Sequence, residues 1–429
     1  MLSLVIIALG QSYPGCNGKP DNKSTLYQNP VLQKTVSHGK RYYIQDPKDS
    51  STYLHIAVLS GTAYQMGYAF GQLFKSELQD SIQLITQYIN ATAQAYYQFL
   101  PSWIQHQGNS YAESIWIGIR YEVITTKRYV PQRFIDEMQG IADATGIPYD
   151  TILAINLFPE VIEAQCSVAG IWGTASRSGH VFQMRALDWD YRAPMSKYPL
   201  VTIYHPSEAN SQTFANIGWV GFIGSLTGFS KKVGISQKVW LPTRNNITTV
   251  FGKPWTFVLR DVLQFATGIN SSLVMLEDAK RTYQIYVGVG SNDDKTFRGF
   301  TYAAKELNMY SDLNWSHPFS PAHPQMNGIM YWDETAKQDS PCFGQIFAQN
   351  YGIIDAQLLY QVAAPSQPTG DTQLAIYDFA QQVVYVSYPS YGSNPTPAYS
   401  RNMIFLNMTS LFNIAVTGDA PEEIQQVYV

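Results

Sequence analysis

Two apolar runs either side of a short polar turn are the strongest constraint in this chain. The first is Cys166-Ser-Val-Ala-Gly-Ile-Trp172, the turn is Gly173-Thr-Ala-Ser-Arg-Ser-Gly179, and the second is His180 to Trp189. Apolar runs around a Gly/Ser-rich turn read as a β-hairpin. A hairpin sets the start of its first strand beside the end of its second, so Cys166 comes near Arg185 and Asp188. Only 14% of the residues are charged, so an arginine and an aspartate inside such a strand need a reason.

Cys166, Arg185 and Asp188 together suit nucleophilic chemistry. A thiol attacks a carbonyl once its pKa is lowered or a base is at hand. Arg185 supplies positive charge. If the chain is cut between Gln165 and Cys166, the new α-amine, with a reference pKa of about 7.7–8.0, becomes the base, and Asp188 holds it. Residues three apart point to opposite faces of a regular strand, so a bulge or the strand end must intervene between Arg185 and Asp188. The alternative is a buried structural cysteine, since a free Cys often behaves as a small core residue.

The segment Gly146-Ile-Pro-Tyr-Asp-Thr-Ile-Leu-Ala-Ile-Asn156-Leu-Phe-Pro-Glu160, running into Cys166-Ser-Val-Ala, resembles the surroundings of the processing site in acid ceramidase and N-acylethanolamine-hydrolysing acid amidase. Arg185-Ala-Leu-Asp188-Trp is similar to their Arg-Asn-Leu/Met-Asp strand. The wider group includes the penicillin acyltransferases, cysteine N-terminal-nucleophile hydrolases that cut themselves before the cysteine. The resemblance runs from about Tyr53 to about Leu411. It implies an α+β fold, a four-layer αββα sandwich, with Cys166 opening a central strand. It also implies a precursor with residues 11–165 as a mostly helical first fragment and 166–429 as a strand-rich catalytic fragment, the two staying together as partners.

The flanking chain fits an α+β protein. Residues 1–10, apolar and ending Ala8-Leu-Gly10, read as a signal peptide, though without the usual preceding Lys or Arg. Residues 11 to 50 are polar and irregular. Tyr53–Leu59 reads as a strand. Met66, Phe70 and Leu73, then Leu78, Ile82 and Ile85, recur at helical spacing, with Gly67 and Gly71 allowing close packing. Pro131 to Gly146 carries helix start and stop signals, with Asp136, Glu137 and Asp143 as its solvated face. Strand-like runs follow at Leu200–Tyr204, Thr213–Val220, Lys232–Ser236, Tyr283–Val289 and Gly328–Trp332. Helical runs stand at Pro254–Ala266 and Ser271–Lys280. Thr369–Tyr377 and Gln382–Tyr388 read as antiparallel strands.

Further site residues come from the resemblance. Gly221-Phe-Ile-Gly224-Ser-Leu226-Thr227-Gly228 resembles the family's substrate-lining turn, which nominates Gly224, Leu226 and Thr227; an ordinary glycine-rich hairpin is the alternative. The family's oxyanion asparagine aligns with Asp333. A carboxylate donates to an oxyanion only when protonated, so Asn327, Asn314 and backbone N–H groups remain as donors.

Six N-x-S/T sequons, at Asn22, Asn90, Asn246, Asn270, Asn314 and Asn407, mark glycosylation sites and a secretory, lysosomal or extracellular protein. In that oxidising setting thiols pair. If Cys166 stays free, Cys16 and Cys342 can form one bond across the cut, as a comparable link does in the relatives; two unpaired thiols, or loss of Cys16 with a longer signal peptide, are the alternatives. His317 and His323 match no zinc spacing, so no metal or cofactor is expected. A net charge of −4 without a basic patch speaks against nucleic acid, and no segment is long enough to span a membrane.

The expected function is hydrolysis of the C–N bond of an N-acyl amide, with an aromatic-rich chain suited to a lipid-like acyl group. An acyltransferase using an amine acceptor, and a secreted glycoprotein that keeps the fold without turnover, are the competing functions.

Overall fold

In the computed structural model the expected hairpin forms from β5 (Gln165–Gly173) and β6 (Gly179–Asp188). The structure describes residues 16–97, 102–160, 165–240, 246–314, 324–333 and 342–416. The proposed signal peptide and both loop histidines lie outside them.

The hairpin is the middle of a seven-stranded sheet. Its order is β1 (Thr25–Leu26), β17 (Met403–Asn407), β16 (Val383–Ser387), β15 (Gln373–Asp378), β6, β5 and β14 (Ile329–Trp332). A ten-stranded sheet runs β13 (Glu306–Tyr310), β12 (Thr296–Ala303), β11 (Ile285–Ser291), β10 (Val233–Val239), β9 (Thr227–Ser230), β8 (Phe214–Trp219), β7 (Pro199–Pro206), β4 (Asp49–Gly61), β3 (Gly39–Asp46) and β2 (Val31–Val36). Most neighbours are antiparallel; β1 with β17 and β4 with β7 are parallel.

Three apolar clusters define four layers. One joins Met66, Phe70, Phe134, Met138, Phe257 and Val262 to Val233, Ile235 and Val287, and so seats helices on the outer face of the ten-stranded sheet. These helices are α1 (Ala63–Tyr97), α3 (Gln132–Thr145), α5 (Trp255–Phe265) and α6 (Ile269–Asp278). A second cluster lies between the sheets and contains Ile56, Val58, Cys166, Leu187, Val201, Phe229 and Tyr377. The third sets Ala169, Met184 and Tyr331 with Phe343 and Phe347 of α7 (Cys342–Gln349), and with Leu359 and Val362. The result is the αββα sandwich. Gly170 shows how closely the sheets approach, because a Cβ there would lie 2.1 Å from the Phe297 ring.

Two expectations need correction. Within residues 11 to 50, expected to be irregular, the chain forms β1, β2, β3 and the start of β4, whereas the expected strand Tyr53–Leu59 lies within β4. β2 is an edge strand with four exposed residues in succession, Val-Leu-Gln-Lys, so it lacks the apolar alternation that marks a half-buried strand. Glu137 is not on a solvated face. It is buried, accepts from Arg260 at 2.6 Å and from the Tyr204 hydroxyl at 3.1 Å. Gly67 places α1 against it, since a Cβ there would sit 2.0 Å from the Glu137 carbonyl oxygen.

Cys16 and Cys342 form a disulfide, which joins the chain before residue 165 to the chain after it. All six sequon asparagines are exposed. Among the described residues no helix is long and apolar enough to cross a membrane, and no group of three His, Cys, Asp or Glu side chains could hold a metal ion.

Candidate active site

The register of the hairpin sets the geometry. Gln165 faces Asp188, Cys166 faces Leu187, and Val168 faces Arg185. Side chains two apart share a face, so Cys166, Arg185 and Leu187 all turn into the space between the sheets. The Arg185 Nη2 donates toward Cys166 Sγ at 3.9 Å, and both side chains are 0% exposed. Asp188 is the last residue of β6 and lies on the other face. Neither a bulge nor a break intervenes, so Arg185 and Asp188 point to opposite faces as a regular strand requires. It stands opposite Gln165 and so beside the bond that cleavage would break.

The Asp188 carboxyl is held by a loop nearly two hundred residues further along. It accepts from Thr369 Oγ1 at 2.5 Å, Gly370 N–H at 2.6 Å and Asp371 N–H at 3.0 Å. Gly370 has φ 89°, a backbone that favours glycine. Thr369 also bonds the Ser167 hydroxyl at 2.8 Å, and Asp371 accepts from the Trp189 N–H at 3.0 Å. The loop thus clamps both strands of the hairpin at the Cys166 end.

Burial and charge oppose each other here. Burial pushes the Cys166 thiol up, while Arg185 and then Lys238 pull it down. Burial raises Asp188 and Asp371 together, and Asp371 reaches about 7 through burial and the adjacent Asp188 charge.

Thr369, Asp371, Gln237 and Lys238 escaped the sequence reading. Gln237 accepts from Arg185 through its main-chain oxygen and through Oε1, each at 3.4 Å. The Lys238 ammonium donates to the Cys166 carbonyl oxygen at 2.5 Å. Two polar residues running on from the apolar strand Val233–Ser236 were the available signal. Thr369-Gly-Asp-Thr opens a strand-like run, and its turn chemistry is the signal there.

An apolar cavity of about 490 Å³ opens beside this cluster. Helices of the first half make one wall: Ile82, Ile85 and Ile89 of α1, Trp116 and Ile119 of α2 (Tyr111–Thr126), and Ala154 and Ile155 of α4 (Tyr149–Leu157). The second half supplies Leu187, Trp219, Val220, Leu226, Gln237 and Val239. Cys166 is not in the wall, but its register partner Leu187 is. Asn156 fixes the neighbouring turn: its Oδ1 accepts from Ile223 N–H at 2.7 Å, and its Nδ2 donates to the Gly221 carbonyl at 3.1 Å.

Of the nominated lining residues, Leu226 lies in the cavity wall and the other two do not. Gly224 faces Thr256, which a Cβ would approach to 2.7 Å, and the Thr227 hydroxyl donates to Gln373 at 2.6 Å. Asn327 is also misplaced as an oxyanion donor. It is exposed and precedes β14 at the end where Ile329 pairs with Ile171, far along the sheet from Cys166. Asn314 is exposed too and bonds Ser311 locally. Asp333 is buried and follows Trp332, the partner of Val168, so it stands at the Cys166 end of β14.

No family model matches the chain. Protein dcd1A of Dictyostelium discoideum is 35% identical over 96% of this chain and 97% of its own length. The chain belongs to the dcd1A family. Acid ceramidase of Rattus norvegicus is 28% identical over 38% of this chain and 45% of its own length. The similarity of this dcd1A-family chain to acid ceramidase is thus confined to part of each chain. The solved N-acylethanolamine-hydrolysing acid amidase ortholog of Caenorhabditis elegans overlaps 50% of this chain and 93% of its own, at 12% identity and a TM-score of 0.38. So distant a likeness adds nothing to the layers described above.

Proposed function

We propose that this dcd1A-family protein is a self-processing cysteine amidase that hydrolyses N-acyl amides with a lipid-like acyl chain. The observation that carries the reading is the free Cys166 thiol at the head of β5, 3.9 Å from a buried guanidinium, with Asp188 opposite Gln165.

In processing, Cys166 Sγ attacks the Gln165 carbonyl carbon. The Gln165–Cys166 peptide bond breaks, its nitrogen takes a proton, and a thioester links Gln165 to the sulfur. Water then releases the Gln165 carboxylate and restores the thiol. In turnover, the freed α-amine takes the thiol proton and the thiolate attacks the substrate amide carbon. The amine product leaves with that proton, and water hydrolyses the acyl-enzyme to a carboxylic acid. Arg185 favours the thiolate, and Asp188 orients the α-amine. The apolar cavity beside Leu187 suits an acyl chain. Because both fragments line it, they must stay associated, and the Cys16–Cys342 bond supports that. Exposed sequons and the disulfide favour a secretory, lysosomal or extracellular protein.

N-terminal sequencing of the mature protein tests the reading. A chain beginning at Cys166 is expected, with one band on a denaturing gel without reductant and two with it. A single intact chain in both lanes overturns self-processing and favours a fold kept without turnover.

A further inference from the structure

Lys238 is a second buried cation beside Cys166, and the reaction outlined above does not use it. Its strand, β10, turns alternate residues toward the other sheet. A Cβ on Gly234 would meet Tyr377 and Phe379, and Ser236 Oγ accepts from Gln183 at 2.8 Å. Lys238 continues that series. It is 1% exposed, pairs with Tyr286 in the neighbouring strand, and reaches the Cys166 carbonyl oxygen at 2.5 Å. A buried ammonium is expensive to desolvate, and this one commits a hydrogen bond to the main chain of Cys166 itself.

Cleavage gives that bond a use. Once the Gln165–Cys166 bond is cut, Cys166 is a chain end, and chain ends loosen unless tied down. The Lys238 contact is to the carbonyl on the far side of Cys166 from the cut, so it survives processing. Among the described residues, Arg185 from β6 and Lys238 from β10 lower the thiol pKa and Asp188 raises it, with Asp371 behind Asp188 and the buried Asp333 at the same end of β14. Lys238 and Arg185 are thus the cations that act on it.

We propose that Lys238 is a positioning residue for the nucleophile: its ammonium pins the main chain of Cys166 through and after cleavage and, with Arg185, favours the thiolate. This rests on Cys166 being the nucleophile.

The test compares full-length wild type, Lys238→Met and Lys238→Arg for cleavage before Cys166 and for the pH profile of kcat/KM on a fluorogenic N-acyl arylamide. Lys238→Met should lower kcat/KM at neutral pH by about tenfold or more. It should also move the acid limb, which reports the thiol, up by about one pH unit. Lys238→Arg should restore most of both. If the Met variant does not fold, Lys238→Gln keeps a donor to the Cys166 carbonyl without the charge, and the same limb shift is expected. An unmoved limb, or a pH-independent loss that arginine does not rescue, overturns the proposal. A wild type that neither cuts itself nor turns over the amide would instead defeat the Cys166 reading, with no variant needed.

Discussion

Arg260 and Arg185 are both buried guanidinium groups, and they are used in opposite ways. Arg260, on α5, meets the Glu137 carboxylate at 2.6 Å and the Ile223 carbonyl at 2.9 Å, and lies 4.2 Å over the Tyr204 ring. Arg185, among the described residues, has no carboxylate in ion-pair contact. It has only the two long bonds to Gln237 and the contact to Cys166, and its Nη1 has no partner. Arg260 spends its charge on Glu137 and joins a helix on one side of the fold to a helix beside it. Arg185 keeps its charge available to the thiol. Removing one partner of a buried pair strands the other, whereas an unneutralised cation in a dry site favours an anion beside it.

The contrast can be broken in order of expected effect. Cys166→Ala should abolish turnover and leave a single uncut chain on a reducing gel. Fragments that still part at residue 165 would mean that a separate protease makes the cut.

Arg260→Met strands the Glu137 carboxylate and should cost about 3–5 kcal/mol of unfolding free energy, read by urea titration. A loss below about 1 kcal/mol would put this pair on the footing of a surface ion pair and remove the distinction.

Arg185→Ala or Asp188→Ala should lower amide turnover by at least about tenfold, or about 1.4 kcal/mol of barrier. Activity within twofold of wild type for both would make them structural, like Arg260.

The smallest effect concerns the carboxyl pair. Asp371 is held up at about 7, against about 3.9 for an ordinary aspartate. Between those values the folded chain keeps a proton that the unfolded chain gives up, so stability falls as pH rises through this window. Asp371→Asn removes that titration. The melting temperature should drop between pH 5 and pH 7.5 in wild type and drop less in the variant; equal drops would place the titration elsewhere.

The α+β character was largely readable because the hairpin, the long helices and the buried strands carry periodic patterns, while the four-layer sandwich was what the family resemblance implied. β2 and β3 were not: β2 is the sheet edge and needs no apolar face, and β3 beside it buries a single apolar side chain, Ile44. The Cys166, Arg185 and Asp188 cluster was readable because a hairpin turns sequence spacing into spatial proximity. Gln237, Lys238, Thr369 and Asp371 reach the same point from β10 and from the loop before β15, and no local pattern encodes a contact between separate strands.

The sequence by itself determined which strand carries the thiol, which residues stand across from it, and that only Cys16 and Cys342 remained to pair. Hydrogen-bond register and side-chain alternation are local rules, and they suffice for that. Tertiary structure alone decided that Arg185 lies unneutralised beside Cys166, that Lys238 grips the Cys166 carbonyl, that Glu137 is buried against Arg260, and that Asn327 stands at the wrong end of β14. Each depends on how two layers stack and which strand ends coincide. Burial, and with it the value of a charge, exists only once the layers have met.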